Sequence, residues 1–395
     1  MAMVTVALAG KPNAGKSTFF SAATAADVDI ANYPFTTIDA NRGVSAVRTT
    51  CPCTDRDARC GADRCRDGKR YVPVNLIDVA GLVPGAHEGR GLGNQFLDAL
   101  SDADVIITVI DAAGATNEEG EPVDVGTGDP IREVTFVEEE MDAWLAGIVD
   151  RNWEQVERGS RAPDFDLEEE LNGILSGVGA TTLDVAAALR DHDYPDNPRK
   201  WTGEDRMQLA RTIRERTKPI IVAANKIDIA PDELLADLLA LDRPVIPLTA
   251  EGEQALQQAS AANMIEYDPG DDAVAVTGEL TPEQRAGIEH IQNLLRAYGG
   301  TGVQQALNEA VYSMLEYITV YPVENETHWT DGDGTMLPDA FLLKTGATPP
   351  DLAAAVHTDI AEGYLHAVDA RSGRRISENH ELEEGDVIKI VSTAS

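Results

Sequence analysis

A segment rich in glycine and lysine, residues 10–17, has the residue types and spacing to hold an anion. It reads GKPNAGKS, follows an apolar run and precedes a helical stretch, so it fits the pattern G-x-x-x-x-G-K-S. Backbone N–H groups in such a loop point at phosphate oxygens. We expect Lys16 to reach the β- and γ-phosphates of a nucleotide and the Ser17 hydroxyl to ligate Mg²⁺. The pattern also predicts phosphate contacts from Asn13, Ala14, Gly15 and Thr18.

Two further segments carry residues that can complete a magnesium and phosphate site. Asp78 ends an apolar run and is followed by Gly81. An acid at that point can hold Mg²⁺ through a water, and the Gly81 N–H can face the γ-phosphate. Residues 32–37 read NYPFTT. There we predict Thr37, with Thr36 as the second choice, as a magnesium ligand that lets go after hydrolysis.

The NKID segment at residues 225–228 predicts which base is bound. The Asp228 carboxylate can accept hydrogen bonds from the N1–H and the 2-amino group of guanine, whereas adenine lacks those donors. We expect Asn225 to brace the loop and the Lys226 stem to cover the base. Thr249 and Ala250 follow the next apolar run, where the Ala250 N–H can donate to guanine O6. Together these segments predict a guanine-nucleotide site.

Short apolar runs precede these segments and predict the strands that position them. The runs cover residues 4–9, 72–77, 105–110, 220–224 and 245–248. Strands that alternate with helical stretches indicate a doubly wound, mostly parallel α/β sheet. Such sheets bind ligands at the carboxyl ends of their strands, where the polar segments of this chain lie.

The spacing of the runs predicts the domain organisation. Over a hundred residues separate Asp111 from the run at 220–224, far more than one crossover helix needs. Amphipathic stretches in that interval predict an inserted helical subdomain. Residues 282–298 and 302–317 are predicted to be helical. Near the end of the chain, short strands around one helix, residues 349–360, predict a β-grasp domain. The predicted segments are residues 1–115 and 216–316 for the two parts of the α/β domain, 116–215 for the insert and 317–395 for the β-grasp domain.

The segments GKPNAGKS, NYPFTT, DVAGLVPGAHEGRGLGNQFL and NKID resemble those of the Obg-type translation-factor GTPases, most closely the YchF-like branch. The likeness covers nearly the whole chain, and the terminal domain is similar to a TGS domain. It implies a P-loop GTPase that hydrolyses GTP to GDP and phosphate and acts as a nucleotide-controlled switch on ribosomes, with the ribosome or rRNA as partner. Bacterial and eukaryotic YchF members prefer ATP, but Asn225, Lys226 and Asp228 favour GTP here. The alternatives are an ATPase of the same family and an RNA-binding adaptor with very slow hydrolysis.

The residue after Gly81 is not one that can orient the attacking water during hydrolysis. Ras-like proteins orient the attacking water with a glutamine at this position, whereas this chain has Leu82. Asn13 matches the asparagine with which potassium-activated G proteins hold K⁺, an ion that can neutralise charge developing between the phosphates. His87, in the glycine-rich stretch that follows, is a second candidate because it could position the water. A plain surface histidine is the alternative interpretation.

All four cysteines, Cys51, Cys53, Cys60 and Cys65, lie within fifteen residues. In a cytosolic protein such a cluster indicates a metal or redox site rather than structural disulfides. Four thiolates can hold one tetrahedral Zn²⁺, and reversible redox pairing and plain thiols are the alternatives. Basic residues crowd the same stretch and predict either stabilisation of thiolates or a contact with rRNA. They are Arg48, Arg56, Arg59, Arg64, Arg66, Lys69 and Arg70, and Arg371, Arg374 and Arg375 form a smaller patch.

The overall charge of the chain indicates its solvent. The sequence has 68 acidic and 32 basic residues, a net charge of −36. Such self-repulsion is largely screened at molar salt, which is typical of a halophilic archaeal cytoplasm; a surface for basic partners is the alternative. No apolar run approaches the roughly 18 residues of a transmembrane helix, and the N-terminus lacks the basic start of a signal peptide. We expect a cytoplasmic protein without membrane or DNA partners, and we favour a monomer.

Overall fold

The computed structural model describes residues 3–24, 41–56, 60, 62–79, 81–82, 84–85, 87, 100 and 102–393 of the 395-residue chain. The chain divides into two compact units. Residues 5–22 and 77–306 form the large unit, and residues 1–4, 23–76 and 307–395 form the C-terminal unit. Residues 23–76, which the sequence assigns to the first part of the α/β domain, thus share a unit with the end of the chain.

The strands alternate with helices in the first part of the chain and follow one another more closely near its end. In chain order they are β1 (Thr5–Ala9), β2 (Arg42–Thr50), β3 (Cys65–Arg66), β4 (Lys69–Asp78), β5 (Val105–Asp111), β6 (Ile220–Asn225), β7 (Val245–Pro247), β8 (Ile265–Glu266), β9 (Ala275–Val276), β10 (Tyr317–Val323), β11 (Phe341–Lys344), β12 (Tyr364–Asp369), β13 (Arg374–Ile376) and β14 (Val387–Ser392).

The helices cluster between β5 and β10. In chain order they are α1 (Lys16–Thr24), α2 (Pro130–Gly159), α3 (Leu167–Leu175), α4 (Thr182–Asp191), α5 (Gly203–Thr217), α6 (Asp232–Leu239), α7 (Ala250–Ala261), α8 (Pro282–Tyr298), α9 (Val303–Asn308), α10 (Pro349–Val356) and α11 (Thr358–Glu362). Within the described ranges, none of them is long and apolar enough to cross a bilayer.

The large unit is built on a parallel sheet in the order β1-β5-β6-β7. Every residue of β5 and β6 is buried, which explains their mostly apolar sequences. The end of β4 lies beside β1, because the N–H groups of Val79 and Leu82 donate to the carbonyls of Leu8 and Gly10 at 3.2 and 3.0 Å. The predicted α/β fold is confirmed, and the strand ends bring the polar segments to one edge of the sheet.

The chain between β5 and β6 is helical, as its amphipathic stretches predict. Asp129 caps the start of α2, and capping boxes at Thr181 and Thr202 begin α4 and α5. The apolar faces of α2–α5 pack around Trp153 and Trp201, whose ring centroids are 5.0 Å apart. The insert therefore has a hydrophobic core of its own.

The C-terminal unit contains a five-stranded sheet in the order β11-β10-β14-β12-β13. β10 and β14 are parallel, and the remaining pairs are antiparallel. Leu352 of α10 packs on this sheet in a core with Val320, Leu343 and Ile388. This mixed sheet with a helix on one face agrees with the β-grasp prediction.

The local structure differs from the sequence prediction at several places. No strand was predicted at β2, because only its middle, residues 44–47, is apolar enough to be buried. The helix predicted over residues 302–317 is α9 followed by a π-helix, Glu309–Met314. The single helix predicted over residues 349–360 is divided at His357, whose extended backbone separates α10 from α11.

Candidate nucleotide-binding site

The phosphate loop, residues 10–17, connects β1 to α1 in a conformation that needs two glycines. Gly10 and Gly15 have φ angles of 137° and 100°, which L-residues rarely adopt. A Cβ atom on Gly10 would lie 2.3 Å from the Val109 carbonyl oxygen, and one on Gly15 would lie 2.0 Å from Asn225 Nδ2. The loop thus packs closely against the ends of β5 and β6, with Ala14 buried and Thr18 in the first turn of α1.

Lys16 is a buried cation without a carboxylate in direct contact among the described residues. Its Nζ donates to the Lys11 carbonyl oxygen at 2.8 Å, and its side chain is 6% exposed. Burial lowers the pKa of Lys16 to about 8, while the charge of Asp78 acts in the opposite direction. A phosphate group at the loop would give this ammonium the anion that the described residues do not supply.

Ser17 and Asp78 meet at the mouth of the loop. The Ser17 hydroxyl donates to Asp78 Oδ2 at 2.7 Å. Asp78 Oδ1 is buried and has no hydrogen-bond partner among the described residues. A hydroxyl beside an unsatisfied carboxylate oxygen fits a hydrated Mg²⁺, which prefers oxygen ligands and keeps several waters. Thr37 and its alternative Thr36 lie outside the described residues.

Gly81 and Leu82 follow directly on the Asp78 strand and face the phosphate loop. A Cβ atom on Gly81 would lie 2.9 Å from the Pro12 nitrogen and 2.8 Å from its Cγ, so the backbone approaches the loop closely. The Leu82 N–H donates to the Gly10 carbonyl, and its side chain, 1% exposed, belongs to the core beside Ile77. Leu82 is therefore a packing residue and cannot orient a water molecule.

Asn225 joins the two loops that would flank a base. Its Nδ2 donates to the Ala14 carbonyl at 2.9 Å, and its Oδ1 accepts from the Ala250 N–H at 3.1 Å. The brace predicted for Asn225 thus runs from the phosphate loop to the start of α7. The Ala250 N–H, which the sequence assigns to guanine O6, is engaged by Asn225 in this structure. Thr249 caps α7 through the Gly252 N–H.

Lys226 and Asp228 differ in their pairing. Lys226 Nζ lies 2.9 Å from Asp111 Oδ2, and its φ angle of 67° turns the loop sharply after β6. The Asp228 carboxylate is half-buried and has no hydrogen-bond or ion-pair partner among the described residues, although its backbone carbonyl accepts from His290 Nε2 at 3.1 Å. Its side chain is therefore available to two donors on a base.

The loop after β5, residues 112–128, touches the phosphate loop from the side. Asn13, at φ 59°, donates from Nδ2 to the Gly120 carbonyl at 2.9 Å, which leaves its Oδ1 as the atom that could face a cation. Lys11 Nζ donates to the Thr116 carbonyl at 2.9 Å and pairs with Glu133 at 2.5 Å. Sequence reasoning missed Lys11 and Glu133, because Lys11 occupies a variable position of the motif and Glu133 looks like an ordinary helix acid.

His87 is tied to α2 of the insert. Its Nδ1 lies 2.7 Å from Glu140 Oε2, its N–H donates to the same oxygen at 3.0 Å, and the Gly85 N–H donates to Oε1 at 2.8 Å. Burial alone would raise the pKa of Glu140, but the hydrogen bonds from His87 and Gly85 outweigh it and lower that pKa. Glu140 fixes the His87 ring through Nδ1, and His87 Nε2 has no hydrogen-bond partner within the ranges that the structure describes.

Family models match three segments of the chain. Residues 5–140 match the 50S ribosome-binding GTPase model, residues 223–325 match the Obg-like GTPase YGR210-like, G4 motif-containing domain, and residues 334–392 match the TGS domain. The second model covers Asn225, Lys226 and Asp228, and the first covers the phosphate loop and Asp78.

Similar proteins span the chain from end to end. An uncharacterised GTP-binding protein of Methanocaldococcus jannaschii is 42% identical over 397 residues, covering 99% of this chain and all of that protein. The crystal structure of a GTP-binding protein from Pyrococcus horikoshii OT3 is 35% identical, with a TM-score of 0.77 over 99% of this chain and 100% of that one. The ribosome-binding ATPase YchF of Mycoplasma pneumoniae is 27% identical over 387 residues, covering 97% and 93% of the two chains.

The sequence motifs, the fold and these similarities agree. A phosphate loop on a parallel sheet, an inserted helical segment and a terminal TGS domain occur here in one chain, as the resemblance implies. Relatives at 42% and 35% identity cover its full length. The chain therefore belongs to the Obg-like family of P-loop GTPases, in its YchF-like branch with a C-terminal TGS domain.

Proposed function

We propose that this protein binds GTP with Mg²⁺, hydrolyses it to GDP and phosphate, and uses the nucleotide state as a switch on ribosomes in the cytoplasm. The observation that carries the base assignment is the Asp228 carboxylate, which has no partner among the described residues. The Asn225 brace holds the Asp228 loop beside the phosphate loop. The guanine N1–H and 2-amino groups are the donors that would satisfy Asp228.

An ATPase is the second candidate, because the Mycoplasma relative is named an ATPase. Adenine offers no N1–H or 2-amino donor, so it would leave Asp228 half-buried and unpaired. Leaving such a group unsatisfied costs about 1–3 kcal/mol. The geometry therefore favours GTP.

Magnesium would be held by residues that already meet in the structure. Ser17 would ligate the ion directly, and Asp78 would hold it through a water, using the oxygen that lacks a partner. Thr37 completes the proposed shell. Held there, Mg²⁺ would supply positive charge that offsets the negative charge developing on the phosphate oxygens during hydrolysis.

The catalytic device has two proposed parts, because Leu82 is buried in the core. Asn13 Oδ1 would help to hold a K⁺ ion over the β–γ bridge. His87, fixed by Glu140, would offer Nε2 to the attacking water, while the Gly81 N–H would face the γ-phosphate. Lys16 would stabilise the charge on the transferred group.

The ribosome is the proposed partner, since residues 5–140 match the 50S ribosome-binding GTPase model. Exposed or half-buried arginines around β2 and β3, such as Arg64 and Arg66, would supply contacts to rRNA phosphates. Arg70 is excluded from that role because its side chain is only 1% exposed. Lys69, Arg374 and Arg375 remain within the proposed contact set.

The test is nucleotide binding and turnover of the full chain with GTP and ATP, side by side, in molar KCl. Tight binding and hydrolysis of GTP, with ATP as a poor competitor, is the expected result. A preference for ATP would establish the ATPase alternative. GTP binding with no multiple turnover, in the presence and absence of ribosomes, would establish the adaptor alternative.

A further inference from the structure

The C-terminal unit brings its four cysteines together. The Sγ atoms of Cys51, Cys53, Cys60 and Cys65 all lie within 4.8 Å of one another, and those of Cys53 and Cys65 are 3.8 Å apart. Zinc–sulfur bonds of about 2.3 Å in a tetrahedron require sulfur atoms about 3.8 Å apart. A disulfide would require about 2.05 Å, and all four cysteines are free thiols. The spacing matches a shared ion better than a covalent pair.

Three of the four cysteines lie in or directly next to regular structure. Cys51 directly follows β2, and its carbonyl accepts hydrogen bonds from the Thr54 N–H and hydroxyl at 3.2 and 2.9 Å. Cys53 lies in the 3₁₀ turn Pro52–Arg56, and Cys65 lies in β3, paired with Arg70 of β4. Because the backbone holds these thiols in position, little ordering is needed for a metal to bind.

A buried arginine indicates that the cluster is anionic. Arg70 is 1% exposed and forms no ion pair with a carboxylate among the described residues. Its Nη1 donates to the Leu337 carbonyl at 2.9 Å and lies 3.7 Å from Cys60 Sγ. A buried cation needs a nearby anion, because an unpaired charge is costly in the interior. One Zn²⁺ with four thiolates has a net charge of −2 and would supply it.

We propose that Cys51, Cys53, Cys60 and Cys65 bind one Zn²⁺ in a closed tetrathiolate site, with Arg70 as its charged outer partner. Four protein ligands leave no position for a substrate, so the site is structural and not catalytic. Cys51 and Cys53 belong to the same core as Tyr321, Trp329 and Leu337. The ion would therefore fasten the segment 51–65 to the C-terminal sheet within this unit.

Metal analysis of the full chain, purified under reducing conditions without added metal, tests the proposal. We expect about one zinc per chain and four thiols that react slowly with a thiol reagent until a chelator removes the zinc. Cys60→Ser should lower the zinc content at least about tenfold, since three thiolates bind zinc much more weakly. Thr54→Ser, in the same turn but with all four thiols intact, is the matched control and should keep the zinc.

A cobalt titration keeps the test decisive if the Cys60 variant does not fold. Wild-type protein stripped of zinc and supplied with Co²⁺ should show the visible absorption bands of a tetrahedral thiolate complex, and zinc should displace them. Folded, metal-free protein with four freely reactive thiols would overturn the proposal. So would stable disulfides in the native protein, iron in place of zinc, or an octahedral cobalt spectrum.

Discussion

Two carboxylates in the large unit, the buried Asp142 and the half-buried Asp78, differ in how completely the described residues pair them. In the helical insert, both oxygens of Asp142 are occupied, one by Arg214 Nε at 2.9 Å and the other by Arg211 Nε at 3.1 Å. At the phosphate loop, the buried Oδ1 of Asp78 has no hydrogen-bond partner in the part of the chain that the structure describes. Buried polar groups are usually satisfied. The fully paired Asp142 therefore indicates a structural role. The unpaired oxygen of Asp78 indicates a site that a ligand completes.

Removing the Asp142 carboxylate should have the largest effect on the free energy of unfolding. Asp142→Ala leaves the buried Arg214 with only the exposed Glu215, at 3.5 Å, as a charge partner, and we expect the free energy of unfolding to fall by about 3–5 kcal/mol. Urea unfolding in molar KCl measures it. Asp150 lies on α2 like Asp142, but it is exposed and pairs with Arg206 of α5. Asp150→Ala should therefore lower the free energy of unfolding by less than about 1 kcal/mol. Equal losses in the two variants would contradict the distinction.

Removing the buried Lys16 ammonium at the phosphate loop should stabilise the nucleotide-free protein. Burial lowers the pKa of Lys16 to about 8, so at pH 7 the folded state holds an ammonium that it disfavours. Lys16→Met should raise the free energy of unfolding at pH 7 by up to about 3 kcal/mol, while abolishing nucleotide binding.

The stability that Lys16→Met gains over the wild type should depend on pH between about pH 8 and about pH 10.5. Between about pH 8 and about pH 10.5 the folded wild type loses the Lys16 proton while the unfolded chain keeps it. The unfolded state then binds more protons, so wild-type stability rises with pH and the advantage of the variant shrinks. Unfolding at pH 7, 9 and 10.5 measures this, with the exposed Lys200→Met as the control. A difference that does not change with pH would refute the assignment.

Asp228→Asn tests whether the Asp228 carboxylate recognises the guanine base. The Asn side chain can accept a hydrogen bond from one guanine donor through its oxygen, but its NH₂ group would face the second guanine donor. The free energy of GTP binding should therefore weaken by about 1–3 kcal/mol. ATP affinity should hardly change. Isothermal titration measures both, and Asp237→Asn, an exposed acid of α6, should bind GTP normally. Unchanged GTP affinity in Asp228→Asn would remove the basis for guanine recognition.

Potassium should act as a specific ion at Asn13, with the smallest effect of this series. An arginine supplied at the phosphates is worth about 10³–10⁵ in rate, and K⁺ in a looser site should give less, about tenfold. We expect faster GTP turnover in KCl than in NaCl at equal concentration and equal GTP affinity. Asn13→Ala should lose the difference. Equal rates in both salts, with folded protein, would shift attention to His87 or a ribosomal activator.

Much of the fold could be predicted because its signals are local. The apolar runs at β1, β4, β5 and β6 are buried except at Thr5 and Asn75, and their apolar composition already indicated it. The predicted helix over residues 282–298 coincides with α8, which begins at a Thr281 capping box and ends at a left-handed Gly299. β2 was missed because its exposed ends hide a short buried centre.

The sequence by itself determined the types and order of the site residues: the glycines, Lys16 and Ser17 of the loop, and the NKID and Asp78 strand ends. Only the tertiary structure decided their pairing. Asn225 rather than a base engages the Ala250 N–H, Lys11 pairs with Glu133, and Arg70 lies against Leu337 and the cysteines. These contacts join positions up to 267 residues apart. No local pattern encodes them, because they form only when strands and helices pack and each buried polar group must find a partner.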